Sequence, residues 1–99
     1  MKRNKAIKII RSHRKQLEAA GVAHAYLFGS VARDEANSKS DIDVMIDVAY
    51  EPFTLFKIAH VMGILEDLFH RRVDVVVRAD ALDKSRRLYQ AAKEALSVF

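Results

Sequence analysis

The chain contains no cysteine, which excludes disulfides, thiolate nucleophiles and cysteine-bound zinc together. It also lacks any long apolar run: the valine-rich stretch Val73 to Val77 is interrupted by Asp74 and is far too short to span a bilayer. The opening Met1-Lys2-Arg3-Asn4-Lys5 is basic, but Ile7, Ile9 and Ile10 alternate with Lys8 and Arg11 after it, which is not a signal-peptide pattern. The expectation is a soluble, cytoplasmic chain with no membrane association. Acid is missing from residues 1–15, where seven basic side chains (Lys2, Arg3, Lys5, Lys8, Arg11, Arg14, Lys15) stand unopposed, so the net charge of +4 comes from this segment. Such a segment steers polyanions or an acidic protein face, or is simply a solvated helix face. Aromatic side chains are missing before Tyr26, so the basic segment has no platform for base stacking, which argues against nucleic acid as a partner.

What is present fits a small globular fold. Ninety-nine residues, 51% hydrophobic and 30% charged, read as one domain over residues 1–99 with one core. A domain of this size buries only roughly 60 to 65% of its unfolded surface, so association in a homo- or hetero-oligomer would help its stability.

The periodicities give an αβαβαβα order, an α/β domain with no internal repeat. Ala6, Ile10, His13, Leu17 and Ala20 predict one helix over 5–20, stopped by Gly21, with His13 as a packing residue. A short buried strand over 23–28 ends at Gly29-Ser30, and Ser30 is placed to cap a helical turn through Val31, Ala32 and Arg33. Residues 34–40 are polar and aperiodic, hence a loop. From Asp41 to Val48, apolar Ile42, Val44, Ile46 and Val48 alternate with Asp41, Asp43, Met45 and Asp47, predicting a strand with one core face and one acidic face. A helix after Pro52 carries Leu55, Ile58, Met62, Leu65 and Phe69, and a third strand covers 72–77. The chain turns over 79–83, and a last helix runs from Lys84 to Leu96 with Leu88, Ala91, Ala92, Ala95 and Leu96 inward.

Chemistry concentrates on the second strand. Asp41 and Asp43, two residues apart, point the same way with Cα atoms roughly 6.5 to 7 Å apart. Adjacent anions on a strand flanked by apolar side chains call for cations between them, and hard divalent ions clamped by carboxylates serve phosphoryl and nucleotidyl transfer. Asp74, on a separate strand among valines, is the candidate third carboxylate. Asp47 lies roughly 20 Å along the strand and cannot share the same ions. Upstream, Gly29 and Ser30 end a strand and open a helical turn, a geometry that holds a phosphate, with Arg33 placed to add charge.

Gly29-Ser30-Val31-Ala32-Arg33, a polar spacer, and Ser40-Asp41-Ile42-Asp43-Val44 together resemble the signature of the DNA polymerase beta-like nucleotidyltransferase superfamily. More narrowly, the chain resembles the minimal nucleotidyltransferases (MNT), small stand-alone domains. The Arg72-Val73-Asp74-Val75-Val76 strand falls where that family carries its third carboxylate. The resemblance implies a small mixed β-sheet flanked by helices, two Mg2+ ions on Asp41, Asp43 and Asp74, and an ATP triphosphate on Gly29, Ser30, Arg33 and Ser40. It further implies a HEPN-domain toxin as partner, AMP transfer onto a tyrosine of that toxin, and a role as antitoxin. A non-catalytic antitoxin that neutralises by occlusion is the alternative. One position departs from the family pattern: Asp34, followed by Glu35, stands where Gly is common. Asp tolerates positive φ less well than Gly, and extra negative charge works against triphosphate binding.

Overall fold

The computed structural model describes residues 1–37, 39–83 and 87–99. The basic N-terminal segment forms α1 (Arg3–Ser12) and α2 (Arg14–Ala19), with Ala6, Ile10 and Leu17 buried as their spacing predicts. The single expected helix is broken at His13, which adopts φ −114 and ψ 21 and holds its Nδ1 2.9 Å from the Ile9 carbonyl oxygen. Gly21 then ends α2 at φ 101, a value open to glycine, and the site is so closed that a Cβ there would meet the Phe53 ring.

Four strands form one sheet in the order β3-β2-β1-β4: β1 (Val22–Phe28), β2 (Ile42–Val48), β3 (Val73–Val77) and β4 (Leu96–Ser97). β1 runs antiparallel to β2 and β4, whereas β2 and β3 are parallel. This is the expected mixed sheet flanked by helices, with one strand more than the sequence reading. The connection from β2 to β3 is α4 (Leu55–Phe69), capped by the Thr54 hydroxyl, which accepts the Lys57 N–H at 3.3 Å. Helix α4 lays Val61, Leu65 and Phe69 on the sheet face formed by Ala25, Leu27, Ile42, Val44 and Ile46. Leu55, expected inside, is 83% exposed at its first turn.

The last helix is much shorter than expected. Its start at Lys84 lies outside the described residues; what is described is the short α5 (Arg78–Ala81) and α6 (Tyr89–Glu94). Leu96, read as a helical core position, instead enters β4, where it pairs with Leu27. Ala95 is already extended (φ −60, ψ 137), and the strand it opens carries Val98 and Phe99 onto Ala25, with Val98 N–H donating to the Ala25 carbonyl at 2.8 Å. Arg11 closes this end by donating from Nε to the Val98 carbonyl at 2.8 Å. Part of the N-terminal basic charge is thus used internally.

The second sheet face is not purely acidic. Met45 is fully buried there with Phe28, Ala81 and Ala92, a small second core under α5 and α6. Among the described residues, no helix is long and apolar enough to cross a membrane.

Candidate active site

Parallel register places Asp43 of β2 directly beside Asp74 of β3, and antiparallel register places Phe28 of β1 on its other side. Paired residues share a sheet face, so Asp43 stands between an aromatic ring and a second carboxylate. Its carboxyl group is pushed up to about 6, first by burial, then by the charges of Asp74 and Asp41 and by hydrogen bonding to Asp74, with Arg33 pulling the other way. Asp43 and Asp74 therefore meet, and Asp41, just ahead of β2, acts on Asp43 through space. Asp74 itself is exposed and Asp43 half-buried, so the more covered, charge-stressed member of the pair is Asp43 and not, as the valine-rich strand suggested, Asp74. Alternation along a strand states which face a side chain takes; it does not state how well that face is covered.

Gly29 fixes the geometry on the other side. It takes φ 71, and a Cβ built on it would collide with the Asp43 carboxylate. Backbone and carboxylate share that space only because residue 29 has no side chain. Gly29 opens α3 (Gly29–Ala32), with Phe28 as the residue ahead of the helix. Ser30 is therefore inside the turn rather than its cap, and its hydroxyl has no partner among the described residues. Helix-initial N–H groups have no partners within their own helix, so this turn keeps donors beside the Asp43 carboxylate.

The remaining expected residues are engaged elsewhere. Arg33 Nε pairs with Glu35 at 3.0 Å, both side chains more than half exposed, a pairing worth little that another anion can displace. The Ser40 hydroxyl accepts the Asn37 N–H at 3.1 Å and so closes a turn in the loop. Asp34 does adopt positive φ, at 60, but its carboxylate is occupied: Oδ1 accepts the Arg3 N–H at 2.8 Å, which holds its pKa below the usual range. Asp47 belongs to another group, accepting the Tyr26 hydroxyl at 2.6 Å and lying 3.9 Å from Arg78. The sequence reading gave Met62 only a helical packing role and passed over Arg87, yet both line a cavity of about 290 Å3 together with Asp43 and Asp74. No local pattern marks Arg87, since only the return of the chain after α5 brings it to the site.

Among the described residues, no three His, Cys, Asp or Glu side chains close into a metal cage. Magnesium is usually held by one or two carboxylates, with water and substrate phosphate completing its shell. The Asp43–Asp74 pair, with mutual repulsion that a cation relieves, is such a donor set.

A parallel strand pair carrying facing carboxylates, next to a glycine-opened turn, is an arrangement able to bring a cation and a phosphate together. The profile of the nucleotidyltransferase domain matches residues 5–96, and the chain belongs to that family. Within it the chain groups with the minimal nucleotidyltransferases. A solved structure provisionally described as one superposes with a TM-score of 0.77 at 28% identity, covering 97% of this chain and 95% of the other. The protein adenylyltransferase MntA of Thermococcus cleftensis is 38% identical over 72 residues, 72% of each chain. A protein of Methanocaldococcus jannaschii provisionally named as a protein adenylyltransferase is 41% identical over 71 residues, 71% of each chain. The chain is a nucleotidyltransferase.

Proposed function

We propose that the chain is a magnesium-dependent protein adenylyltransferase that moves AMP from ATP to a hydroxyl, taken to be tyrosine, on a HEPN-domain toxin and so acts as its antitoxin. The observation that carries the catalytic part is the Asp43–Asp74 pair beside the Gly29 turn. The protein acceptor is supported by the names of the relatives, and the toxin by the family resemblance of the motif. Asp41, Asp43 and Asp74 would hold magnesium, which when bound neutralises charge on the entering and leaving oxygens.

The chain's own residues account for the rest. Gly29 and Ser30 seat the triphosphate with backbone N–H groups and the free hydroxyl, and Arg33 exchanges Glu35 for a phosphate oxygen. Asp74, exposed on the acceptor side, takes the proton of the attacking hydroxyl. The acceptor oxygen forms a bond to the α-phosphorus while the bond from that phosphorus to the α–β bridging oxygen breaks. Pyrophosphate leaves with the electron pair, and the acceptor keeps AMP.

The test is co-incubation of the chain with a HEPN-domain partner, magnesium and ATP labelled at the α-phosphate. Label should enter the partner with the parent chain and should be lost with Asp43→Asn and Asp74→Asn. Neutralisation of the partner that persists in both variants without label would overturn the catalytic reading in favour of occlusion.

A further inference from the structure

Strand β3 ends the sheet, since the order β3-β2-β1-β4 leaves one of its sides unpaired. Ile42 N–H donates to the Arg72 carbonyl, so the parallel register turns the backbone groups of Arg72, Asp74 and Val76 toward β2. Those of Val73, Val75 and Val77 face outward. Glu66 accepts the Val73 N–H at 3.3 Å. Among the described residues, the Val73 carbonyl, both Val75 groups and the Val77 N–H have no partner beyond the sheet. An edge strand with open donors and acceptors is a template for another strand.

The cavity that contains Asp43 and Asp74 reaches this edge. Its lining includes Val75 and Val76, whose side chains leave opposite faces of β3, with Met62 on the α4 side and Arg87 on the other. Only a space at the rim of the strand touches all four. Cations flank it: Arg72, exposed, precedes Asp74 by two residues on the same face, and Arg87, also exposed, lines the cavity.

The geometry points to strand addition: an extended segment of the acceptor protein, with acidic residues flanking its hydroxyl side chain, docks along β3 through the Val75 backbone. This deepens the acceptor assignment made under Proposed function and rests on it. Main-chain hydrogen bonds supply affinity in this mode and alternate side chains supply specificity. The residue opposite Asp74 then projects on the Asp74 face, with Cβ atoms about 4.5–5.5 Å apart as in any cross-strand pair. The hydroxyl is brought to the carboxylate by register. The acidic flanks meet Arg72 and Arg87.

The probe is a synthetic decapeptide of alternating valine and glutamate with one central tyrosine, made unmodified and in two forms with every second backbone amide N-methylated, in opposite phases. Two readouts are taken on the full chain: amide hydrogen exchange of Val75 and Val77, and transfer of α-labelled AMP to the peptide. The unmodified peptide and one methylated phase should slow exchange at Val75 at least tenfold, and the other phase should not, because only one edge of the added strand faces β3. Val75→Pro removes an outward N–H and spares the ladder to β2; it should lose at least tenfold in peptide labelling. Arg87→Glu, a surface change, should weaken binding of the same peptide at low salt. Protection without labelling would support docking while counting against the catalytic reading. Absence of protection, equal binding of both phases, or Val75 protection that appears with protein concentration alone, through a second copy on the edge, would overturn the proposal.

Discussion

Asp43 and Asp74 occupy matched positions on parallel strands, close enough for the protonated carboxyl of one to bond the other. The site holds this repulsion in the folded chain, and its consequences can be measured without any substrate.

The first concerns stability and pH. Asp43 has its pKa raised to about 6, so the folded chain binds a proton more readily than the unfolded one. That contribution is fully present below the ordinary carboxylate range and disappears as pH rises through about 6. Asp43→Asn should therefore stabilise the chain at pH 8, by about 1 kcal/mol once solvent screening is allowed for, or about 4 to 8 °C in Tm. The difference should vanish near pH 4. Melting curves of both proteins across this range provide the check.

Magnesium should act on the same pair. Millimolar magnesium chloride should raise the Tm of the parent chain at pH 8 through preferential binding to the folded state, and Asp43→Asn should lose most of that gain. An equal rise in both proteins would assign the effect to the salt rather than the site.

Gly29→Ala should cost about 1–3 kcal/mol, since it places a Cβ both at positive φ and against the Asp43 carboxylate. Chemical denaturation measures the loss. Combined with Asp43→Ala the steric part should be relieved, leaving the φ penalty, so the two changes should be non-additive.

Asp34 gives a contrasting case. Its carboxylate accepts the Arg3 N–H and its pKa is lowered by that bond, so its contribution is present at neutral pH and lost as pH falls into and below the carboxylate range. Asp34→Ala should melt below the parent at pH 7 and converge with it in acid. Asp34→Gly, which trades that bond for relief at φ 60, should melt closer to the parent at pH 7.

Tyr26 should ionise later than an ordinary tyrosine, because its hydroxyl donates to Asp47 and is partly buried. Asp47→Asn should bring it back toward the usual value. Ultraviolet titration of phenolate in parent, Asp47→Asn and Tyr26→Phe chains separates Tyr26 from the other two tyrosines.

Much of this site was legible in the sequence because strands write their faces in a two-residue period. Asp41 just ahead of β2, Asp43 on it and Asp74 on β3 follow from alternation, and Gly29 stands out in a chain with three glycines. Other features depend on what packs against a face. Met45 reads as part of an acidic face until α5 and α6 cover it, and Asp74 reads as enclosed until its strand proves to be an edge. The helical spacing of Leu88, Ala92 and Leu96 continues past the point where pairing with β1 draws the backbone out straight. His13 sits on a helical stripe, and nothing in that stripe predicts that the chain bends there.

The absent side chain at Gly29 ties two positions far apart in the sequence into one inherited unit. A lineage that keeps the aspartate at 43 has no freedom at 29, whereas one that loses it gains room for alanine. Degeneration of this enzyme into a purely protein-binding descendant should thus leave a paired scar, readable in genomes before any assay is run: a small residue at 43 accompanied by a side chain at 29.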